Sequence, residues 1–307
     1  MKQLTYYFAA VTAFAIWGTF SLVLKPLHGY SSLDILFYRV FSCAVIMSLI
    51  SAVFRKKKLK ENLDIFSSLP KKARQQNIGL NMLSSVLLTG NWFSFIYVMN
   101  HISVRATSVA YLVCPIITTI LAFLILREKL TRLQWLSVAL SGLGCILLSY
   151  SNLMDMLYSS LIGFSYAGYL ILQSINKRFD KFLILNIHIV LSSLILLPFF
   201  PSYSGAIPAE FKFYMLIEVI AVMYTIVPLL LNLYALSGIS SSKVGMILNI
   251  NPIIAFILAG TVYREELSWI QILAYSIIFL AVIVFNAKEL LLFRGKLTKL
   301  KQNQDCI

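Results

Sequence analysis

The chain is poor in charge. Only 12% of its 307 residues are Asp, Glu, Lys or Arg, about half the usual fraction of a soluble domain. Acidic residues are the scarcer kind, with 12 Asp and Glu against 26 Lys and Arg. There are four cysteines. Cys43, Cys114 and Cys145 lie inside apolar runs and Cys306 lies in the C-terminal tail, which excludes a disulfide framework and leaves them as small packing residues. The three histidines, His28, His101 and His188, are far apart in sequence and have no metal-ligand spacing. No H-E-x-x-H, G-x-S-x-G or G-x-x-x-x-G-K-[ST] pattern is present, so the familiar hydrolase and nucleotide-binding signatures are absent. Alternating apolar and polar runs are also lacking, which excludes a β-barrel pattern.

What remains is apolar. Hydrophobic residues make up 59% of the chain and the mean hydropathy is +0.83, the composition of an integral membrane protein. A spanning helix needs about 20 mostly apolar residues. Ten such spans are predicted: Leu4–Leu24, Leu33–Phe54, Ile78–Met99, Val104–Leu126, Leu133–Tyr150, Leu153–Gln173, Phe182–Phe200, Phe213–Leu236, Val244–Tyr263 and Trp269–Ala287. The first is too long for the apolar core of a signal peptide. The expected fold is all-α.

The net charge of +14 does not imply nucleic acid, because the charges fall in the loops between spans. With the N-terminus inside, 21 of the 26 Lys and Arg are cytoplasmic. Only Lys25, Arg105, Lys212 and Arg264 lie outside, and Arg39 lies within a span. Cytoplasmic loops carry the excess of basic residues, so both termini are expected in the cytoplasm. The basic segment Arg55–Asn77 is expected to be a solvated loop, though its charge permits contact with membrane lipid.

One stretch is written twice. Tyr97–Leu136 falls, without a gap, on Tyr234–Leu273, 137 residues later. Ile102 and Ser103, Pro115, Arg127, Glu128, Gln134 and Leu136 land on Ile239 and Ser240, Pro252, Arg264, Glu265, Gln271 and Leu273. Apolar helices share Ile and Leu by chance, but not a matched proline and a matched Arg-Glu pair. The two copies lie an odd number of spans apart and therefore cross in opposite directions. The expected architecture is two inverted five-helix repeats, residues 1–150 and 151–287, followed by a basic cytoplasmic tail, 288–307. Segments interrupted at corresponding places in two inverted halves point to a transporter.

Polar residues in hydrocarbon are costly, and each needs a reason. Arg39 would hold an anionic substrate group, or else snorkel to the outer surface. His188 would take part in proton coupling, or sit buried and neutral with one hydrogen bond, the more favoured role. Asn91, Asn232 and Asn249 carry amides into their spans, either for substrate or as glue between helices. Trp17, Trp92 and Tyr111 would shape an aromatic cavity. Pro115 and Pro252 free backbone groups and permit helix bending. Glu128 and Glu265 fall at span ends. Glu218 lies about a turn and a half into its span. With no carboxylate at mid-membrane, an acid-driven proton antiport is disfavoured, and protons remain only a candidate coupling ion.

Several of these residues carry a resemblance. Trp17-Gly18, Tyr38-Arg39, Gly90-Asn-Trp92, Tyr111-Leu-Val-Cys-Pro115, Leu126-Arg-Glu-Lys-Leu130 and Gln134-Trp135 are similar to the EamA-type, RarD-like branch of the drug/metabolite transporter superfamily. The resemblance covers nearly the whole chain and is clearest over residues 80–150. It implies ten spans in two inverted repeats and transport of small metabolites, often export of amino acids or related compounds. Carried over by position, Trp17, Arg39, Asn91, Trp92, Tyr111 and Pro115 would be the cavity residues. Cys114 departs from the branch, where an amide is expected before the proline. The expected protein is a secondary transporter of the cytoplasmic membrane, without cofactor or catalytic activity, acting on a small-molecule substrate by alternating access. A lipid flippase or channel-like facilitator is the alternative.

Overall fold

The computed structural model describes residues 2–101, 104–149, 153–176, 178–264 and 266–287, and none of these is in a β-strand. Ile102, Ser103, Tyr150, Glu265 and the tail 288–307 lie outside the described residues.

The helices are α1 (Lys2–Gly18), α2 (Phe20–Leu24), α3 (Ser32–Phe54), α4 (Lys56–Ser68), α5 (Lys71–His101), α6 (Val104–Ile125), α7 (Arg132–Ser149), α8 (Leu153–Ile175), α9 (Lys181–Leu196), α10 (Phe200–Tyr203), α11 (Phe211–Ala221), α12 (Val227–Leu236), α13 (Ser241–Ile247), α14 (Ile250–Thr261) and α15 (Trp269–Phe285). Five helical runs are long and apolar enough to cross a membrane: Gln3–Leu27, Ser32–Phe54, Lys181–Tyr203, Phe211–Leu236 and Ser241–Thr261. Val109–Ile125, Arg132–Leu148 and Trp269–Phe285 are shorter apolar helices. Apolar residues surround these helices, so a continuous backbone ladder is what makes them stable in lipid.

Side chains fix several ends. Ser31 accepts from the Leu33 amide at the start of α3, and Asp180 accepts from Phe182 and Leu183 at the start of α9. Before α15 the Ser268 side chain and Gln271 satisfy each other's backbone N–H groups in a capping box. Thr131 and Gln134 do the same before α7. Each exchange satisfies two donors that a helix start leaves orphaned.

The segment expected as the loop 55–77 is helical instead. It forms α4 and the first turns of α5. Leu59, Leu63 and Phe66 recur at helical spacing on one face of α4. Lys58 Nζ meets Glu61 Oε2 at 2.6 Å one turn along, and this bond holds the Glu61 carboxyl below its ordinary range. Arg55 Nη2 pairs with Asp180 Oδ2 at 2.9 Å, and the Asp180 amide donates to Asn62. These two contacts dock α4 beside the start of α9.

The long helices pack in a definite set of pairs: α6 with α8 and α13, α5 with α8 and α9, α1 with α12 and α14, α3 with α9 and α11, and α7 with α15. Two glycines permit close approaches between helices. A Cβ at Gly163 of α8 would lie 3.2 Å from the Ala110 carbonyl and the Cys114 amide of α6, and one at Gly144 of α7 would meet Ile278 of α15.

Four of the five runs are interrupted, Lys181–Tyr203 by a 3-10 turn at Leu197–Phe199. The first is interrupted at Thr19 between α1 and α2. A π turn, Val222–Ile226, separates α11 from α12. Leu248 and Asn249 separate α13 from α14. The α6 helix stays continuous through Pro115, whereas Pro252 sits in the first turn of α14, where a missing N–H costs nothing.

Candidate functional site

The centre of the bundle is one apolar and aromatic cluster drawn from many helices. It contains Cys43, Cys114, Tyr166, Tyr169, Leu185, Ile189, Leu229, Leu233 and Leu248, with Trp17, Trp92, Tyr111 and Ile250 packed against it. Trp17, Trp92 and Tyr111 pack against this cluster, and most of the other sequence-predicted site residues are near its members along the chain, whereas Pro252 precedes Ile253 of a second cluster. Arg39 is one turn from Cys43, Pro115 follows Cys114, His188 precedes Ile189, and Asn249 stands between Leu248 and Ile250.

The Arg39 guanidinium carbon lies 5.2 Å from the Trp92 ring centroid, a cation–π placement. Its Nε is buried without a hydrogen-bond partner, and no ion pair among the described residues involves it. Cys43 and Tyr111 are the titratable groups that interact with it. Asn249 is fully buried, and neither polar atom of its amide has a partner among the described residues. Buried polar atoms are ordinarily paired, and an unpaired one is a site waiting for a group or a water. Arg39 and Asn249 thus offer a cation and a free amide to whatever enters the centre.

The other expected residues are partly committed. Trp17 Nε1 donates to the Tyr224 carbonyl at 2.8 Å. Pro228, four residues on, has no N–H for that carbonyl, so the indole satisfies what the π turn and proline leave open. The Trp17 ring packs edge-on against Tyr166. Asn91 Nδ2 donates to the Ile162 carbonyl at 2.9 Å and to Ser165 Oγ, which ties α5 to α8. Asn232 Nδ2 donates to the Tyr166 hydroxyl at 3.0 Å, and its Oδ1 is buried without a partner.

His188 belongs to a polar seam between α5, α8 and α9. Asn81 Nδ2 donates to the Asn77 carbonyl, so Asn81 Oδ1 is the acceptor. It receives Asn176 Nδ2 at 3.1 Å and His188 Nε2 at 3.0 Å. The His188 proton therefore sits on Nε2, and Nδ1 is a bare acceptor with no partner. The ring is edge-on to Tyr169, which stacks with Tyr166. Asn81 was missed by sequence reasoning, although the Asn77 and Asn81 pair at helical spacing was a visible signal.

Two further features escaped the sequence. A cavity of about 390 Å³ lies between the turn after α2, the start of α3 and the end of α14, lined by Ser21, Lys25, His28, Tyr30, Ile35 and Tyr263 among others. Lys25 Nζ lies 4.0 Å from the Tyr263 ring centroid. The second feature is a bond from Ser42 Oγ of α3 to Glu218 Oε1 of α11, 2.6 Å long.

An all-helical bundle with membrane-length apolar helices packed around an apolar, aromatic centre defines a multi-pass membrane protein. The sequence profile of the EamA-like transporter family matches residues 4–150 and 153–287. The chain belongs to that family and is a membrane transporter. It is 27% identical to the uncharacterized transporter YojE of Bacillus subtilis over 283 residues, 90% of this chain and 92% of that protein. Identity to Protein RarD of Escherichia coli is 25% over 285 residues, again 90% and 92% of the two chains. A protein crystal structure with 11% identity superposes with a TM-score of 0.73, covering 93% of this chain and 98% of the other, a likeness of fold alone. The matched family is one of transporters rather than catalysts.

Proposed function

We propose that the protein is a secondary transporter of the cytoplasmic membrane that exports small metabolites bearing an anionic group, amino acids or related compounds, by alternating access. The observation that carries this is Arg39, a guanidinium over Trp92 inside the aromatic centre with no carboxylate paired to it among the described residues. A buried charge without a partner is expensive, and a substrate carboxylate would complete it. Asn249 and the free oxygen of Asn232 would take the remaining polar groups of the substrate.

Ten spans in two inverted repeats are supported by the packing pairs. Exchange the first five segments for the last five, and each main pair finds its counterpart: α5 with α8 becomes α12 with α1, α6 with α8 becomes α14 with α1, and α5 with α9 becomes α11 with α3. Contacts at helix ends join segments assigned to the same side. Arg55 meets Asp180 and Glu128 meets the amides of Ser241 and Ser242 on the cytoplasmic side. Asp34 meets Gly205 on the outer side. The halves nonetheless differ in shape. α6 is continuous, and its counterpart is broken at Asn249. Two conformations of one sequence pattern, one in each half, are what alternating access exchanges.

The test is counterflow of labelled amino acids and related metabolites in liposomes bearing the purified protein, beside Arg39→Ala. Saturable exchange is expected in the parent and its loss in a folded Arg39→Ala. Unchanged flux in the variant removes Arg39 from the site. Flux that does not saturate favours a channel-like facilitator.

A further inference from the structure

We propose that α4 is an interfacial helix that binds the anionic lipid surface of the membrane, through Lys56 and Lys60 set beside Leu59 and Leu63. This surface lies outside the transport site and does not depend on the function proposed above.

The neighbours of α4 place it at the rim of the hydrocarbon. The spanning helix α3 exposes an apolar side chain at every fourth position, Val45, Leu49 and Val53, and ends on Phe54, which is 82% exposed. Two residues later α4 begins, and it has only 13 residues. A helix that crosses a bilayer takes about 20. On the far side α5 has 31 residues, a length of about 46 Å at the α-helical rise, against about 30 Å of hydrocarbon. Its first turns are polar, with Lys71, Lys72, Arg74, Gln75, Gln76 and Asn77, so the surplus length lies at the end that α4 adjoins.

Three contacts hold α4 there. Arg55 pairs with Asp180, and the Asp180 amide donates to Asn62. Arg74 Nη2 donates to the Ser67 carbonyl at 2.7 Å, and its guanidinium carbon lies 5.4 Å from the Phe66 ring centroid. These contacts use Arg55, Asn62, Phe66 and Ser67. They leave Lys56, Leu59, Lys60 and Leu63 exposed, Leu63 to 57%. Spacings of three and four residues make those four side chains one patch.

Leucines between lysines suit a bilayer surface better than water. The leucines enter the boundary between headgroups and acyl chains, and the lysine stems follow them while the ammonium groups stay among the phosphates. The charge is complementary as well. From Arg55 to Arg74 there are eight Lys and Arg and two carboxylates. Glu61 is already bonded to Lys58. Asp64 lies one turn beyond Lys60, where Lys56, Lys57 and Lys60 outnumber it. A basic cluster immediately beside a spanning helix is attracted to anionic headgroups.

The full-length protein in nanodiscs tests this, with phosphatidylcholine alone compared with phosphatidylcholine and phosphatidylglycerol. Hydrogen exchange of residues 56–68 is expected to be slower in the mixed bilayer, and high salt is expected to remove the difference. The double variant Lys56→Gln, Lys60→Gln keeps the contacts that dock α4. It is expected to lose that extra protection, by roughly fivefold for each lysine. A fluorophore on Leu63→Cys, in a Cys306→Ser background, is expected to be quenched by lipids spin-labelled near the headgroup. Equal exchange in the two bilayers overturns the proposal, and so does a Leu63 probe that reports water in the mixed bilayer. A probe that responds only to added polyglutamate also overturns it, and assigns the face to an acidic polypeptide.

Discussion

Asn91 shows how a residue's neighbours decide between two roles that sequence leaves open. An amide in a span either meets substrate or joins helices, and its Nδ2 donates twice to α8. Such bonds between membrane helices contribute about 1 kcal/mol. Asn91→Ala is expected to lower thermal stability by about that much and to leave the apparent KM for counterflow unchanged. A raised KM at full stability would return Asn91 to the binding site. Asn249 is its opposite, with the same side chain, equally buried, but no partner among the described residues for either polar atom. His188 falls between them, its Nε2–H fixed by Asn81 and its Nδ1 bare. Sequence offered no means to rank these three, because the ranking depends on what the facing helix carries.

At the scale of elements, the repeated Arg-Glu and Gln turn out to mark helix ends. Among the described residues, Arg127 and Arg264 are the non-glycine residues with positive φ, 54° and 53°, and they stand at matched positions of the two copies. Each ends its helix by turning the chain into the left-handed region. A β-branched residue tolerates that region worst. Arg127→Val is therefore expected to unfold at lower temperature than Arg127→Gly, by a difference of about 1–2 kcal/mol, as read from thermal unfolding. Equal stability of the two variants would mean that the turn is not held in this conformation. Gln134 and Gln271 are matched because each completes a capping box. Glu128 caps a helix of the other half, accepting from Ser241 and Ser242. The repeat was plain in the sequence, but the reason for its fixed residues was backbone geometry. The helicity of α4 was missed because four lysines in five residues dominate its composition, while its apolar residues at helical spacing are few.

For the whole molecule, the orientation is the statement that most needs a direct check. Lys57 belongs to the basic helix assigned inside, and Lys212 begins the helix assigned to start outside. With Cys306→Ser, the buried Cys43, Cys114 and Cys145 give a quiet background for single cysteines. Lys212→Cys is expected to react with an impermeant thiol reagent in intact cells, and Lys57→Cys only after permeabilisation. The reverse pattern would invert the molecule.

Sequence alone determined the class and set the expectation of ten spans and a repeat, because each rests on a property of consecutive residues: apolar length, basic residues in alternate loops, and one pattern recurring at a fixed spacing. It also named Arg39 and the aromatic residues around it, since a charge in an apolar run is visible without a structure. Tertiary structure decided which polar groups are spent and which are free. It brought Trp17 to the carbonyl beside Pro228, Asn81 to His188, and Ser42 to Glu218, partners 107 residues apart in the His188 pair and 176 in the Glu218 pair. Whether a buried polar atom is satisfied depends on atoms from another helix, and no local pattern records them.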